Sequence, residues 1–377
     1  SLYRQAWESI DPSLREAALQ EIGSLLERSC ITWETACEWI VPAVEDSSVN
    51  IWKEGLNAIG GGLQSGEVPL SDALPHIEES QSSASDIVVG YGVLALARGI
   101  KGGIVDPERV HPRLRSAVNS GAKSLANATT RAVGQLLRDS DITWEQARPV
   151  LREAYEDDRD DVAEAALKGI GVALDSGAIE WEVVESLITS SRDTSRKAVT
   201  ESAVTAVAYA MRRGLVTWDA VSEYVEFARD SGVRDIAHAA FGVVEVGLQK
   251  DELSWSRVQP FMRDALGSST GHVALEAVSL VGRGISNEFL VWPEVFEYLE
   301  EAAADHRQPV VGMSVRAAYY AAWGPESSFD WDETRALLRT ALQAESDGIR
   351  TACIETAGAA MQEQSPEWGE VKEFIDS

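Results

Sequence analysis

The chain is 377 residues long, carries 61 acidic against 33 basic residues for a formal charge of −28, and contains only three cysteines. A length that would ordinarily divide into two or three globules comes here without a linker or a shift in composition, and cysteines so few and odd in number speak against a disulfide framework and for a reducing cytoplasm. The longest weakly charged stretch, Ile87 to Ala97, is far too short to cross a bilayer, and no signal peptide is read, so no membrane partner is expected.

Along the chain a tryptophan returns every 37 residues, at Trp144, Trp181, Trp218, Trp255 and Trp292, then at Trp331 after 39 and Trp368 after another 37. The same step backward from Trp144 lands on Pro107, Leu70 and Trp33. A period of this size marks a solenoid, in which each repeat buries its apolar face only against its neighbours. The register predicts a single α-solenoid over residues 1–377, with nine repeats starting at 31, 68, 105, 142, 179, 216, 253, 290 and 329. Residues 1–30 fit the later part of a repeat, with Leu14, Leu19, Ile22 and Leu26 on its apolar positions, and residues 366–377 fit only a first helix. These partial repeats are expected to be polar caps or the edges of a longer solenoid. The one change of length is the loop Gly324 to Ser328, two residues longer than its counterparts.

Each repeat reads as two helices. The first opens just before the tryptophan: Thr143 with Gln146 and Asp330 with Glu333 have capping-box spacing, and Glu34, Glu145, Glu182 and Asp219 follow where the helix dipole favours acid. A polar, Asp- or Ser-rich break precedes the second helix. That helix carries an aliphatic residue at repeat position 21 (Ile51, Val88, Leu125, Val162, Val199, Ile236, Val273, Val310, Ile349), with further apolar residues at positions 29 and 33 on the same face. Small residues such as Gly55, Ala166, Ala203, Ala240 and Ala277 at position 25 let helices approach closely, and a glycine such as Gly66, Gly177 or Gly214 stops many of the repeats.

With these features in place the repeats resemble the HEAT family. Pro75, Pro112, Pro149 and Pro260 share one position of the first helix; an Asp follows eight residues later in some repeats (Asp157, with Asp46 and Asp305 in others), and the Val or Ile comes five after that. HEAT repeats usually also place an Arg directly after the Val, laddered with the Asp, and Arg350 stands in that place here. The resemblance implies an all-α, right-handed α-solenoid whose second helices line the concave face. A fold of this kind hosts many activities.

The acids are spread through every repeat, and Arg far outnumbers Lys, a balance that resembles the proteins of salt-loving archaea. High net charge bears on solubility and association, not on fold, so the concentration of bases is the more telling quantity. Repeat positions 27, 31 and 34 share a face of the second helix away from the apolar stripe. They hold Arg98, Lys101, Arg131, Arg138, Lys168, Arg212, Arg283 and Arg316 against Asp175 and Glu355, with Tyr209, Tyr320 and Trp323 among them. Cations interleaved with aromatics suit an acidic peptide or a phosphate backbone.

Catalytic chemistry finds little support. The histidines His76, His111, His238, His272 and His306 share no repeat position, no ligand spacing for a metal is present, and no cofactor motif appears. Gly169-Ile170-Gly171 lacks the third glycine of a dinucleotide loop and fits a closely packed helix. The acidic run Glu156 to Asp161 falls in a turn. The expectation is a non-enzymatic, cytoplasmic scaffold binding a protein or peptide, with acidic character, along the groove. The alternative is nucleic-acid binding by the basic stripe, as in the HEAT-like alkylpurine glycosylases, whose catalytic Asp finds no counterpart here.

Overall fold

The computed structural model describes residues 2–7, 9, 11–119, 123–193, 195–323, 329–363, 369, 371–372 and 374. Among them every regular element is helical. The chain divides into two compact units, Ser1–Ile188 and Thr189–Ser377. The first contains α1 (Leu2–Trp7), α2 (Pro12–Glu27), α3 (Trp33–Val44), α4 (Val49–Ser65), α5 (Leu70–Gln81), α6 (Asp86–Lys101), α7 (Pro107–Val118), α8 (Lys123–Arg138), α9 (Trp144–Tyr155) and α10 (Asp160–Ser176). A single 3-10 turn, Trp181–Val183, and α11 (Glu185–Thr189) follow. The second contains α12 (Lys197–Arg212), α13 (Trp218–Arg229), α14 (Arg234–Gln249), α15 (Trp255–Leu266), α16 (Gly271–Ser286), α17 (Trp292–Ala303), α18 (Gln308–Trp323), α19 (Trp331–Leu342) and α20 (Asp347–Glu363).

Within each unit the second helices of consecutive repeats pack on one another, α2 through α10 by even numbers and α12 through α20 likewise, with each first helix against its own second helix. The register residue opens an element in every repeat from Trp33 to Trp331. Trp33, Trp181, Trp218, Trp255 and Trp292 are no more than 9% exposed, and Trp144 and Trp331 are half-buried. Trp368 and the long loop Gly324 to Ser328 lie outside the described residues. In the second unit the indoles meet the next repeat edge-to-face: Trp218 on Phe261 at 5.8 Å, Trp255 on Tyr298 at 5.4 Å and Trp331 on Phe374 at 6.2 Å. Aromatic pairs favour this geometry because the positive ring edge meets the negative face.

Local chemistry sets the helix ends. Thr143 and Gln146 cap each other's backbone amides reciprocally, and the Glu333 amide donates to Asp330 at 3.1 Å. The left-handed conformation recurs at repeat position 36, in Gly66, Gly103, Gly177 and Gly214 but also in Ser29, Ser140, Asp251 and Glu288. The intra-repeat turn is just as regular. Its side chain at position 16 accepts from the amide two residues on: Ser48 to Asp46 at 2.8 Å, Ser85 to Ser83 at 3.2 Å, Arg159 to Asp157 at 2.8 Å, Val233 to Ser231 at 3.2 Å, Thr270 to Ser268 at 3.2 Å and Arg307 to Asp305 at 2.7 Å. Such side chains mimic a backbone turn and hold the exit of the first helix.

The structure departs from the sequence reading in two places. The first helix of the repeat at 179 is only a 3-10 turn and five α residues, interrupted at Val184, and beyond its end the Ser191 carbonyl accepts from the Tyr224 hydroxyl at 3.2 Å. The Asp-Arg ladder is also built differently. Arg15, directly after Leu14, pairs with Asp46 of the next repeat, whereas Arg350 bonds Asp347 on its own helix. Elsewhere the arginine stands two residues after the Asp. Arg307 binds Asp305 and sends its other nitrogens back to the Ser268 and Leu266 carbonyls at 2.6 Å, and Arg159 binds Asp157 and the Val118 carbonyl at 2.7 Å. The acidic run Glu156 to Asp161 is therefore partly a repeat-to-repeat clamp.

Candidate interaction surface on the second helices

The basic columns resolve into side chains with different partners. Lys101 Nζ lies 2.9 Å from Asp139 and Arg138 Nε donates to the same carboxylate at 2.8 Å. The hydrogen bond from Lys101 and then that from Arg138 hold the Asp139 carboxyl below its ordinary range, against the effect of its partial burial. Lys168 pairs with Glu164 one turn earlier on α10. Arg283 reaches Glu245 on α14 at 2.9 Å, and Arg98 donates to the Asn57 carbonyl at 3.2 Å. Arg212 lies over the Tyr209 ring at 5.0 Å. Arg316 donates to the Tyr320 hydroxyl at 2.8 Å, and Trp323, 45% exposed, packs against Tyr319 at 6.2 Å. Among the described residues Arg131 makes no ion pair, and it is exposed. Exposed pairs of this kind contribute little to stability, so these cations stay available to a partner that offers better geometry.

The carboxylates that answer the columns sit just outside them: Asp139 at repeat position 35, Glu164 at 23 and Glu245 at 30. The net positive field along the columns is therefore smaller than their own residues suggest.

Two grooves collect most of the remaining candidates, and they occupy the same place in their repeats. In the first unit a shallow groove of about 280 Å³ runs between α8 and α10, walled by Arg131, Gln135 and Arg138 on one side and Lys168 and Val172 on the other. Its floor is Gly134 against Gly169, so close that a Cβ on Gly134 would stand 2.6 Å from the Gly169 Cα. Backbones touch only where side chains are absent, and this contact accounts for the glycine at position 169. Three cations and no carboxylate line the groove. At its other end Arg131 also walls an adjoining recess with Lys123, Asn127, Asp86 and Asp161. In the second unit the matching groove, between α18 and α20, is lined by Gly312, Arg316, Tyr319, Tyr320, Ala352, Glu355 and Thr356.

Arg131 and Arg316 share repeat position 27, while Gly134 corresponds to Tyr319, Gln135 to Tyr320 and Lys168 to Glu355. The structure brings Arg131, Arg138 and Lys168 together, and separately Arg316 and Tyr320. Lys101 joins the first group through Asp139. Arg98, Tyr209, Arg212 and Arg283 line neither groove, and Trp323 stands beside the second through Tyr319.

No arrangement of a nucleophile with a base accompanies these grooves. Among the described residues no group of three His, Cys, Asp or Glu is placed to hold a metal ion, and no helix is long and apolar enough to cross a membrane. Cys353 is buried, its thiol pushed up to about 12 by burial.

No family model matches the chain, and no curated protein matches it in sequence. Solved structures do match it in fold. Kap121p bound to Ste12p superposes with a TM-score of 0.62 at 11% identity, over 100% of this chain and 42% of that one. The karyopherin Kap121p bound to the extreme C-terminus of the protein phosphatase Cdc14p gives 0.61 at 11% identity, over 99% and 43%. Kap95p, whose binding induces the switch loops of RanGDP to adopt the GTP-bound conformation, gives 0.60 at 12% identity, over 99% and 57%. The chain spans between 42% and 57% of the length of these neighbours, and at such identities the likeness concerns architecture. The chain thus has the all-α, HEAT-like solenoid fold of the karyopherins.

Proposed function

We propose that this chain is a non-enzymatic scaffold that docks a protein or peptide segment of acidic character on the faces of its second helices. The observation that carries the reading is the groove on the second-helix layer between α8 and α10, where Arg131, Arg138 and Lys168 stand over a floor of Gly134 and Gly169 with no carboxylate in the lining; its register equivalent between α18 and α20 offers Arg316 with Tyr319 and Tyr320. The neighbours of like fold, bound to Nup53p, Cdc14p or Ste12p, support a protein-binding role. A photo-crosslinking residue placed at Gln135 or Tyr320 should give protein adducts in the producing cell, while the same residue at Glu301 on a first helix should not. Adducts from the first helix alone would overturn the reading, and adducts destroyed by nuclease would favour the nucleic-acid alternative.

The proposal extends to one solenoid over residues 1–377, working in a salt-rich cytoplasm. The acid spread over both units supports the second part. Repulsion among surface carboxylates acts over about 10 Å at 0.1 M salt and about 3 Å at 1 M. The melting temperature should therefore rise between these two concentrations, as thermal scans followed by circular dichroism will read, and a flat or falling curve removes the salt-adapted reading.

A further inference from the structure

Resting on the reading above, we infer that the α8/α10 groove is the docking site, that its occupant is an extended acidic protein segment, and that Arg131 is the anchoring cation. Charge complementarity selects the occupant. The chain carries nearly two acids for each base, yet this groove is lined by Arg131, Arg138 and Lys168 with no carboxylate. Arg138 and Lys168 each already hold an acid outside the groove, and Arg131 holds none among the described residues. A carboxylate arriving at Arg131 forms a new pair without displacing an old one. Both ions shed water when they pair, but among the described residues Arg131 has no ion pair to break first.

The spacing constrains the occupant further. Arg131 and Arg138 are seven residues apart on α8, nearly two turns, so they project along one edge about 10 Å apart. In a polyproline II segment, with three residues per turn and a rise of about 3.1 Å, side chains three apart share a face at about 9 Å. Two carboxylates separated by two residues therefore meet both arginines. The Gly134-Gly169 floor leaves room for the backbone between them, and Lys168 faces it from α10. The register-equivalent groove of the second unit is a natural control. There Arg316 is engaged by the Tyr320 hydroxyl, and Glu355 stands where Lys168 does, so an acidic segment finds one occupied cation and one repelling acid.

The test uses the full chain and fluorescein-labelled Pro-Glu-Pro-Pro-Glu-Pro, with Pro-Pro-Glu-Glu-Pro-Pro, the same scaffold carrying lysine for glutamate, and an oligothymidylate of equal charge as comparisons, all read by anisotropy in a buffer where circular dichroism shows every variant folded. The spaced acidic peptide should bind most tightly, Arg131→Glu with Lys168→Glu should weaken it at least tenfold, Arg131→Gln should weaken it by less, and Arg316→Gln should leave it unchanged. Binding unaffected by the Arg131 variants but lost in Arg316→Gln overturns this site while the scaffold reading survives. Preference for the oligothymidylate overturns the choice of partner class. No binding of any peptide to the full chain, together with no protein adducts at Gln135 or Tyr320, ends both readings.

Discussion

The two units fill one register with different side chains. In the first, successive second helices meet through small residues: a Cβ on Gly23 would stand 3.0 Å from the Ala58 Cβ, one on Gly60 3.0 Å from the Ala95 Cα and one on Gly134 2.6 Å from the Gly169 Cα. In the second, the corresponding places hold Ala208, Glu245, Gly282, Tyr319 and Gly358, and the Gly282 Cβ would be an ordinary 3.6 Å from Ala317. The bulk has moved to the first helices, where Trp218, Trp255 and Trp331 meet aromatic rings of the next repeat. The register fixes where helices meet and leaves open whether backbone proximity or aromatic area holds them. The choice also decides the surface. Glycine at position 30 opens a groove walled by long cations, and tyrosine at the same position makes that groove aromatic.

The largest test of this contrast is Trp292→Ala. Trp292 is 1% exposed, packs against Phe296 and Phe329, and its indole N–H donates to Glu333 of the next repeat at 2.9 Å. Removing it should cost about 3 to 5 kcal/mol in urea denaturation, and the loss should spread to adjoining repeats because stability in such arrays is coupled between neighbours. Trp33→Ala in the first unit, where the indole N–H donates to Asp72 at 3.0 Å and no aromatic ring among the described residues of the next repeat meets it, should cost less. Equal losses would break the claim that the second unit depends more on its rings.

The converse test sits at the glycines. Gly134→Val sets a branched side chain against the Gly169 backbone, which has no flexible end to yield, and should cost about 1 to 3 kcal/mol as overpacking. Gly242→Ala on α14 meets nothing within 4 Å and should stabilise by about 0.5 to 1 kcal/mol through helix propensity. A tolerated Gly134→Val would mean that the α8/α10 contact relaxes, and the groove with it.

How much of this was legible in the sequence follows from what a repeat makes visible. The register located the start of every first helix because its residue, whether buried as Trp218 or half-buried as Trp144, recurs at one fixed step, and the caps at Thr143 and Asp330 are local chemistry that needs no tertiary information. The interruption at Val184 in the repeat at 179 was hidden by the unbroken register around it. The partners of the basic columns were illegible for a different reason: whether Lys168 turns to Glu164 or into the groove is a rotamer choice, which periodicity does not fix. The Gly134-Gly169 floor required knowing that position 30 of one repeat faces position 28 of the next, and only the packed helices supply that offset.

Acid should act on both units alike, a check that their difference is confined to packing. Burial by itself raises the Asp46 carboxyl in the first unit, and the Ser48 amide with Arg15 more than reverses it. In the second unit the hydrogen bond from Arg307 holds Asp305 low. Both folded values lie below the ordinary 3.8, so the unfolded chain binds protons first as pH falls. The stability these groups give is complete above about pH 4 and is lost as pH drops through the folded values. Asp46→Asn and Asp305→Asn should each flatten the acid limb of a plot of stability against pH, and an unchanged limb in one variant would locate an unrecognised difference between the units.

The smallest effect probes what the units share. Position 36 is left-handed in both, at φ 62° in Ser140 and 63° in Glu288, as at φ 78° in Gly177. A side chain there crowds its own carbonyl, at a cost of roughly 1 kcal/mol, whereas glycine has no Cβ to clash. Ser140→Gly and Glu288→Gly should therefore each raise stability by a few tenths to about 1 kcal/mol, reduced by the extra freedom glycine gives the unfolded chain. Because the φ values match, the two gains should agree to within the error of the denaturation curves. A gain in one unit and a loss in the other would show that the turn, and not only the filling of the helix interfaces, differs between them.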